Sequence, residues 1–138
     1  MARIILIFLL MLMGSFKPNV GVDVTFKNDS GEDFTLLKVS VDRKEFEFKN
    51  LRKGEKTKPI RVKETYWFCE TIVLTHKDSL IFKGFCSVGE TLIKDGSLMI
   101  SYTIYPKKGV QRRLVTNEVF YCGSARNVGF PKINYEKE

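Results

Sequence analysis

Helical signal is what this chain has least of. No window keeps apolar residues at the i, i+3, i+4 spacing over several turns, which excludes a helical bundle or a doubly wound α/β architecture. Histidine occurs once, as His76, and tryptophan once, as Trp67, in 138 residues. One imidazole leaves little room for multi-histidine metal chemistry. Cysteine occurs three times. No two cysteines sit as the close C-x₂₋₄-C pair that announces a structural zinc site, so Cys69, Cys86, Cys122 and His76 are not read as a metal set. No cofactor motif is present. Acidic residues are outnumbered, 16 against 23 Lys and Arg, for a formal net charge of +7. Only one apolar run is long, and it lies at the very start.

That run is Ile4 to Met13, behind a single charge at Arg3. A short basic stretch, an apolar stretch of this length and the small pair Gly14-Ser15 match a secretory signal peptide over residues 1–15. The fit is imperfect at Leu12 and Met13, where a small residue is preferred. A membrane span needs about 20 apolar residues, so no transmembrane segment is expected in the mature chain. Removing residues 1–15 leaves about 120 residues, an ordinary single-domain length. Export places the chain in a periplasmic or secreted setting, where disulfides form.

What is present is short-period alternation. Val20, Val22, Val24 and Phe26 alternate with polar positions and predict a half-buried strand. Asn28-Asp29-Ser30-Gly31 is a turn cluster, and Asn28-Asp29-Ser30 also matches a glycosylation sequon. Residues 34–41 predict a second strand with Leu37, Val39 and Val41 on one face. Residues 45–50 predict a third, with Phe46 and Phe48 aligned. A turn at Lys53-Gly54-Glu55 leads to a short fourth strand over 57–62, placed at an edge because Pro59 has no N–H to donate. Residues 66–75 and the run from Leu80 predict a hairpin. Residues 97–105 predict a seventh strand with Leu98, Ile100, Tyr102 and Ile104 inward. Residues 111–121 predict an eighth, interrupted near Asn117. Turn signals every 8–12 residues argue for an all-β, antiparallel β-sandwich of about seven or eight strands. The domain is expected over 16–124, with a loosely packed tail over 125–138.

The hairpin carries two cysteines. Folding about Lys77-Asp78 pairs His76 with Ser79, Val73 with Phe82 and Cys69 with Cys86. Directly opposed residues lie about 4.5 to 5.5 Å apart, within disulfide reach. Lys-Asp suits a tight primed turn poorly, which favours a four-residue loop. A Cys69–Cys86 disulfide is the expectation; two buried free thiols are the alternative. Cys122 is left over as a free thiol or an intermolecular partner.

Trp67 two residues before Cys69 resembles an Ig-like core, although the cysteine spacing differs from that of an inter-sheet bridge. More broadly, through NDSGEDF, NLRKGEKTKPI and CSVGETL, residues 20–105 resemble small exported bacterial β-sandwich proteins of Ig-like or prealbumin-like kind. The resemblance implies a fold and an exported setting, and it carries no catalytic residue to this chain.

Chemistry is sparse. His76, Asp78 and Ser79 have the composition of a catalytic triad but sit in one turn, whereas triad members normally come from distant segments. Gly54-Glu55-Lys56-Thr57 superficially matches the end of a phosphate-binding loop, but Lys49 stands where the pattern needs its first glycine. The remaining signal is basic. Residues 49–63 and 107–113 crowd lysines and arginines into two turns. Such clusters meet anionic surfaces, acidic polysaccharide or an acidic protein; they also solubilise a domain and protect strand edges. Nucleic acid is the weakest of these partners, since no aromatic recognition motif accompanies the charge. The expected role is therefore non-enzymatic binding through loops or a sheet edge. Lys53, Lys56, Arg112 and Arg113 are the candidate contacts. The competing readings are a small secreted enzyme or enzyme inhibitor presenting Lys77, and a structural subunit that assembles by strand addition.

Overall fold

A computed structural model describes residues 20–67, 69–83, 91–105 and 112–123. Among these, the alternating segments become eight strands: β1 (Gly21–Asn28), β2 (Phe34–Val41), β3 (Lys44–Leu51), β4 (Ile60–Val62), β5 (Glu70–Leu74), β6 (Ser79–Phe82), β7 (Asp95–Tyr105) and β8 (Arg113–Cys122). They form two four-stranded sheets, ordered β4-β1-β7-β8 and β3-β2-β5-β6. The all-β sandwich expected from the alternation is what forms. The predicted signal segment and C-terminal tail lie outside the described residues. No helix among the described residues is long and apolar enough to cross a membrane.

The inward faces follow from the period-2 pattern. Val22, Val24 and Phe26 of β1 meet Leu37, Val39 and Val73 of the other sheet's strands in one buried cluster with Leu98, Ile100 and Tyr102. Two ring contacts tie the layers at its centre, Phe26 to Phe48 at 6.0 Å and Phe82 to Tyr102 at 6.0 Å, and a third joins Phe26 to Tyr102 at 6.3 Å within the first sheet. Such pairs add stabilisation beyond burial, about 0.5–1.5 kcal/mol each. The Tyr102 hydroxyl lies 2.7 Å from Thr71 Oγ1, and that hydroxyl donates to the Cys69 carbonyl at 3.0 Å. Because Thr71 has one proton and spends it on Cys69, Tyr102 is the donor to Thr71. The buried phenol is thereby satisfied.

The wholly antiparallel arrangement is corrected. β1 pairs antiparallel with β4 but parallel with β7, through Val24↔Leu98, Phe26↔Ile100 and Asn28↔Tyr102, so that sheet is mixed. Alternation says which side chains face inward and is blind to strand direction. The long connection between β1 and β7 permits the crossover that a parallel pair requires.

The hairpin register is corrected too. Leu74 pairs with Ser79, Val73 with Leu80 and Thr71 with Phe82. The loop is therefore Thr75 to Asp78, four residues long as favoured but closed one residue earlier on each strand. The cause is Thr75. Its hydroxyl accepts from the N–H groups of Lys77 (3.1 Å) and Asp78 (3.2 Å), and its own N–H donates to the Asp78 carbonyl at 2.9 Å. The expected direct opposition of Cys69 and Cys86 loses its basis, because the ladder is displaced by two residues. Cys69 is a free thiol, 3% exposed; Cys86 lies outside the described residues.

Other expectations hold in finer detail. β4 is a three-residue edge strand starting just after Pro59, with a separate bridge between Lys27 and Lys56 before it. In the β7–β8 ladder, Glu118 opposes Ser101 and Thr116 opposes Tyr102, so Asn117 is an extra residue in a bulge, where the interruption was expected. Trp67 is partly buried against the core.

Candidate functional site

The β1–β2, β3–β4 and β5–β6 loops and the start of β8 converge at one end of the sandwich. Asn28, the last residue of β1, is its hub and is fully buried. Its Nδ2 donates to the carbonyls of Glu32 (2.9 Å) and Leu51 (3.0 Å), joining the first loop to the end of β3. Its Oδ1 accepts from Ser30 N (3.0 Å) and Ser30 Oγ (2.6 Å). This is the Asx geometry that makes Asn a turn residue, and it corrects the sequon reading: in the folded chain the Asn28 amide is inside and fully engaged. Backbone bonds reinforce the hub. Gly54 N donates to the Asn28 carbonyl at 2.7 Å, and Asn28 N donates to the Glu55 carbonyl at 2.9 Å. Gly54 has φ of 78°, a conformation glycine adopts without steric cost.

Charge locks the outer layer of this end. The Arg112 guanidinium pairs with Glu32 through Nη2 and with Asp78 through Nη1 at 3.3 Å. Lys77 Nζ stands 3.9 Å from Glu32. Asp78 Oδ1 also accepts from Thr75 Oγ1 at 2.9 Å. One arginine thus clamps the β1–β2 loop to the β5–β6 loop, and its partly buried setting weakens solvent screening. On the other side, Lys53 N donates to Asp33 Oδ1 at 2.8 Å, and Arg52 N donates to Glu55 Oε2 at 2.9 Å.

The four expected contact residues are therefore not one patch. Lys53 is exposed on the clamped loop end. Arg112 is engaged by two carboxylates. Arg113 is exposed at the start of β8. Lys56 lies on the outer face of the first sheet, lining a groove of about 370 Å³ with Thr25, Met99, Phe120 and Cys122. Sequence reading missed Asn28, Glu32 and Asp33 as the groups that organise the end. Their signal was the turn cluster itself, where Asn, Ser and Asp side chains replace backbone partners. The acids at this end also reduce the net positive field that a count of lysines suggests.

The cysteines and His76 are dispersed. Burial pushes the Cys69 thiol up to about 12, partly opposed by a hydrogen bond with Thr65. A thiol so held is a poor nucleophile. Cys69 borders a cavity of about 260 Å³ at the opposite end of the sandwich, with Asp42, Arg43, Glu64, Thr65 and Tyr66. Cys122 is exposed at the end of β8. His76 is exposed in the β5–β6 loop, and its neighbour Asp78 is committed to Thr75 and Arg112. No group of three metal-ligating side chains occurs among the described residues. Comparisons with family models, curated proteins and solved structures find no match.

Proposed function

We propose that this protein is an exported, non-enzymatic binding domain, an Ig-like or prealbumin-like scaffold that presents its clamped loop end to an anionic envelope surface or polysaccharide. The observation that supports this reading is the cross-tying of three loops by Asn28 and Arg112, which leaves Arg52, Lys53 and Lys77 exposed on a pre-organised platform. Rigid loops lose little entropy on binding, and exposed cations on them supply attraction that salt screens. Lys56 and Arg113 flank the platform. Arg112 acts by holding it in shape.

The test is retention of the protein on an acidic polysaccharide and on anionic vesicles at low and high salt. Retention is expected to fall steeply with salt, and the Lys53→Glu, Lys77→Glu double variant is expected to lose it while melting normally. Retention independent of salt, or unchanged in the double variant, overturns the reading.

A further inference from the structure

The strand edges of the two sheets differ. β4 has three residues and follows Pro59; β6 has four residues; β8 carries the Asn117 bulge and runs beside β6. Each is short, interrupted or flanked, as protected edges are. β3 is the least protected, departing from extended geometry only near its end, where Asn50 has φ of 55°. It has eight residues, its one hydrogen-bonded neighbour among the described residues is β2, and its burial pattern is the most open of any strand described. Its inward Phe46 and Phe48 are only partly buried against the core. Its outward row is Glu45, Glu47 and Lys49; Lys38 of β2 pairs closely with Glu45 at 2.8 Å and loosely with Glu47 at 4.0 Å, and the two carboxylate side chains stay 66% and 53% exposed.

Charges on an edge normally repel passing strands. Here their order makes one partner acceptable. Two copies of β3 meeting antiparallel across a two-fold axis keep inward facing inward only when the axis passes through a residue. An axis at Phe46 sets Glu45 against the partner's Glu47. An axis at Glu47 sets that carboxylate against its own copy, and an axis at Lys49 does the same for the ammonium. An axis at Phe48 sets Glu47 against the partner's Lys49 twice, opposes no like charges along the outward row, and brings the two half-buried Phe48 rings together. Opposite-charge and aromatic cross-strand pairs are favourable, and like charges directly opposed are not.

We propose that β3 is a homodimerisation edge, with a second copy of this chain pairing antiparallel in the register centred on Phe48. The second sheet then continues across the two-fold axis with eight of the described strands, the β3 main-chain groups that no described residue bonds are satisfied, and the exposed rims of Phe46 and Phe48 are covered. The proposal is independent of the anionic-partner reading: it uses the sheet edge and not the loop end. It adds to that reading two loop ends on one particle, which raises avidity for a repeating surface.

The test is molecular mass in solution by sedimentation, in reductant so that Cys122 cannot cross-link chains. The wild-type protein is expected to be a salt-sensitive dimer. Glu47→Lys alone and Lys49→Glu alone each place like charges opposite one another and are expected to weaken the dimer by about tenfold or more. An equimolar mixture of the two variants restores opposite charges at every outward pair and is expected to form a one-to-one heterodimer. That restoration also shows both variants folded. In the wild type, β3 amides are expected to exchange more slowly as concentration rises. A wild-type protein that stays monomeric at about 100 µM, a dimer insensitive to either reversal, or a mixture that fails to associate while β3 exchange ignores concentration, overturns the proposal.

Discussion

The two ends of the sandwich are held by opposite means. At the loop end, a buried amide and a guanidinium cross-tie three loops through side-chain hydrogen bonds. At the far end, the connections lean on close backbone approach and apolar burial. Gly96 there has φ of 83°, and a Cβ on it would meet the Cys122 carbonyl oxygen at 2.1 Å and the Gly123 Cα at 2.7 Å. Thr65 and Ile93 form a single isolated bridge, the Tyr121 hydroxyl donates to Asp95 at 2.9 Å, and the 260 Å³ cavity beside Cys69 stands open. The same core therefore tolerates different insults at its two ends. One is vulnerable to loss of a polar partner and the other to added volume.

The largest effects test that division directly. Gly96→Ala is expected to cost about 4 kcal/mol or to prevent folding, because backbone cannot move aside as a flexible side chain can and because the φ is unfavourable for any Cβ. Asn28→Ala is expected to cost about 3 kcal/mol, since it strips bonds from the Leu51 and Glu32 carbonyls and from Ser30 without offering replacements. Denaturant melts of both variants check this. An Asn28→Ala protein as stable as wild type would erase the contrast between the ends.

A pH series sharpens it. The Cys69 thiol ordinarily titrates near 9.0 and is pushed up to about 12 in the fold, and burial also raises Tyr102 well above 10.0. Above pH 9 the unfolded chain releases protons that the folded chain keeps. Proton binding then favours the folded state less as pH rises, and stability falls between about pH 9 and 12, by up to about 1.4 kcal/mol per pH unit for each such group. Cys69→Ala is expected to flatten this alkaline loss, and Tyr102→Phe to flatten its upper part. An identical alkaline slope in Cys69→Ala would show that the thiol is not protected. A thiol reagent supplies the companion measurement: Cys122 reacts in the native protein, whereas Cys69 waits for unfolding.

The smallest expected effect is a gain. Asp42 and Arg43 turn from β2 into β3 with φ of 49° and 59°. That is the primed-turn conformation, which glycine at the second position adopts without the steric cost of a Cβ. Arg43→Gly is expected to stabilise the protein by about 0.5 kcal/mol, read as a small rise in melting temperature. A loss instead would assign the Arg43 side chain a role in the adjacent cavity.

Most strands were readable because half-buried antiparallel or edge strands must alternate. Phe34–Val41 was found to the residue, and Leu98, Ile100, Tyr102 and Ile104 all face inward as their spacing requires. The hairpin misregistered because one side chain, Thr75, outweighed the turn preference of Lys77-Asp78. The loop end was legible only as scattered turn formers. Nothing local in Arg112 announces Glu32 and Asp78, since neither carboxylate neighbours it in sequence.

Sequence by itself determined the all-β character, the inward residues and the edge position of the Pro59 strand, because backbone pleat and the missing proline N–H are local facts. Tertiary structure alone decided that β1 lies parallel to β7 and which charges are spent inside the molecule. Those outcomes depend on groups far apart in the chain competing for the same space and the same hydrogen bonds, and no local pattern encodes the winner.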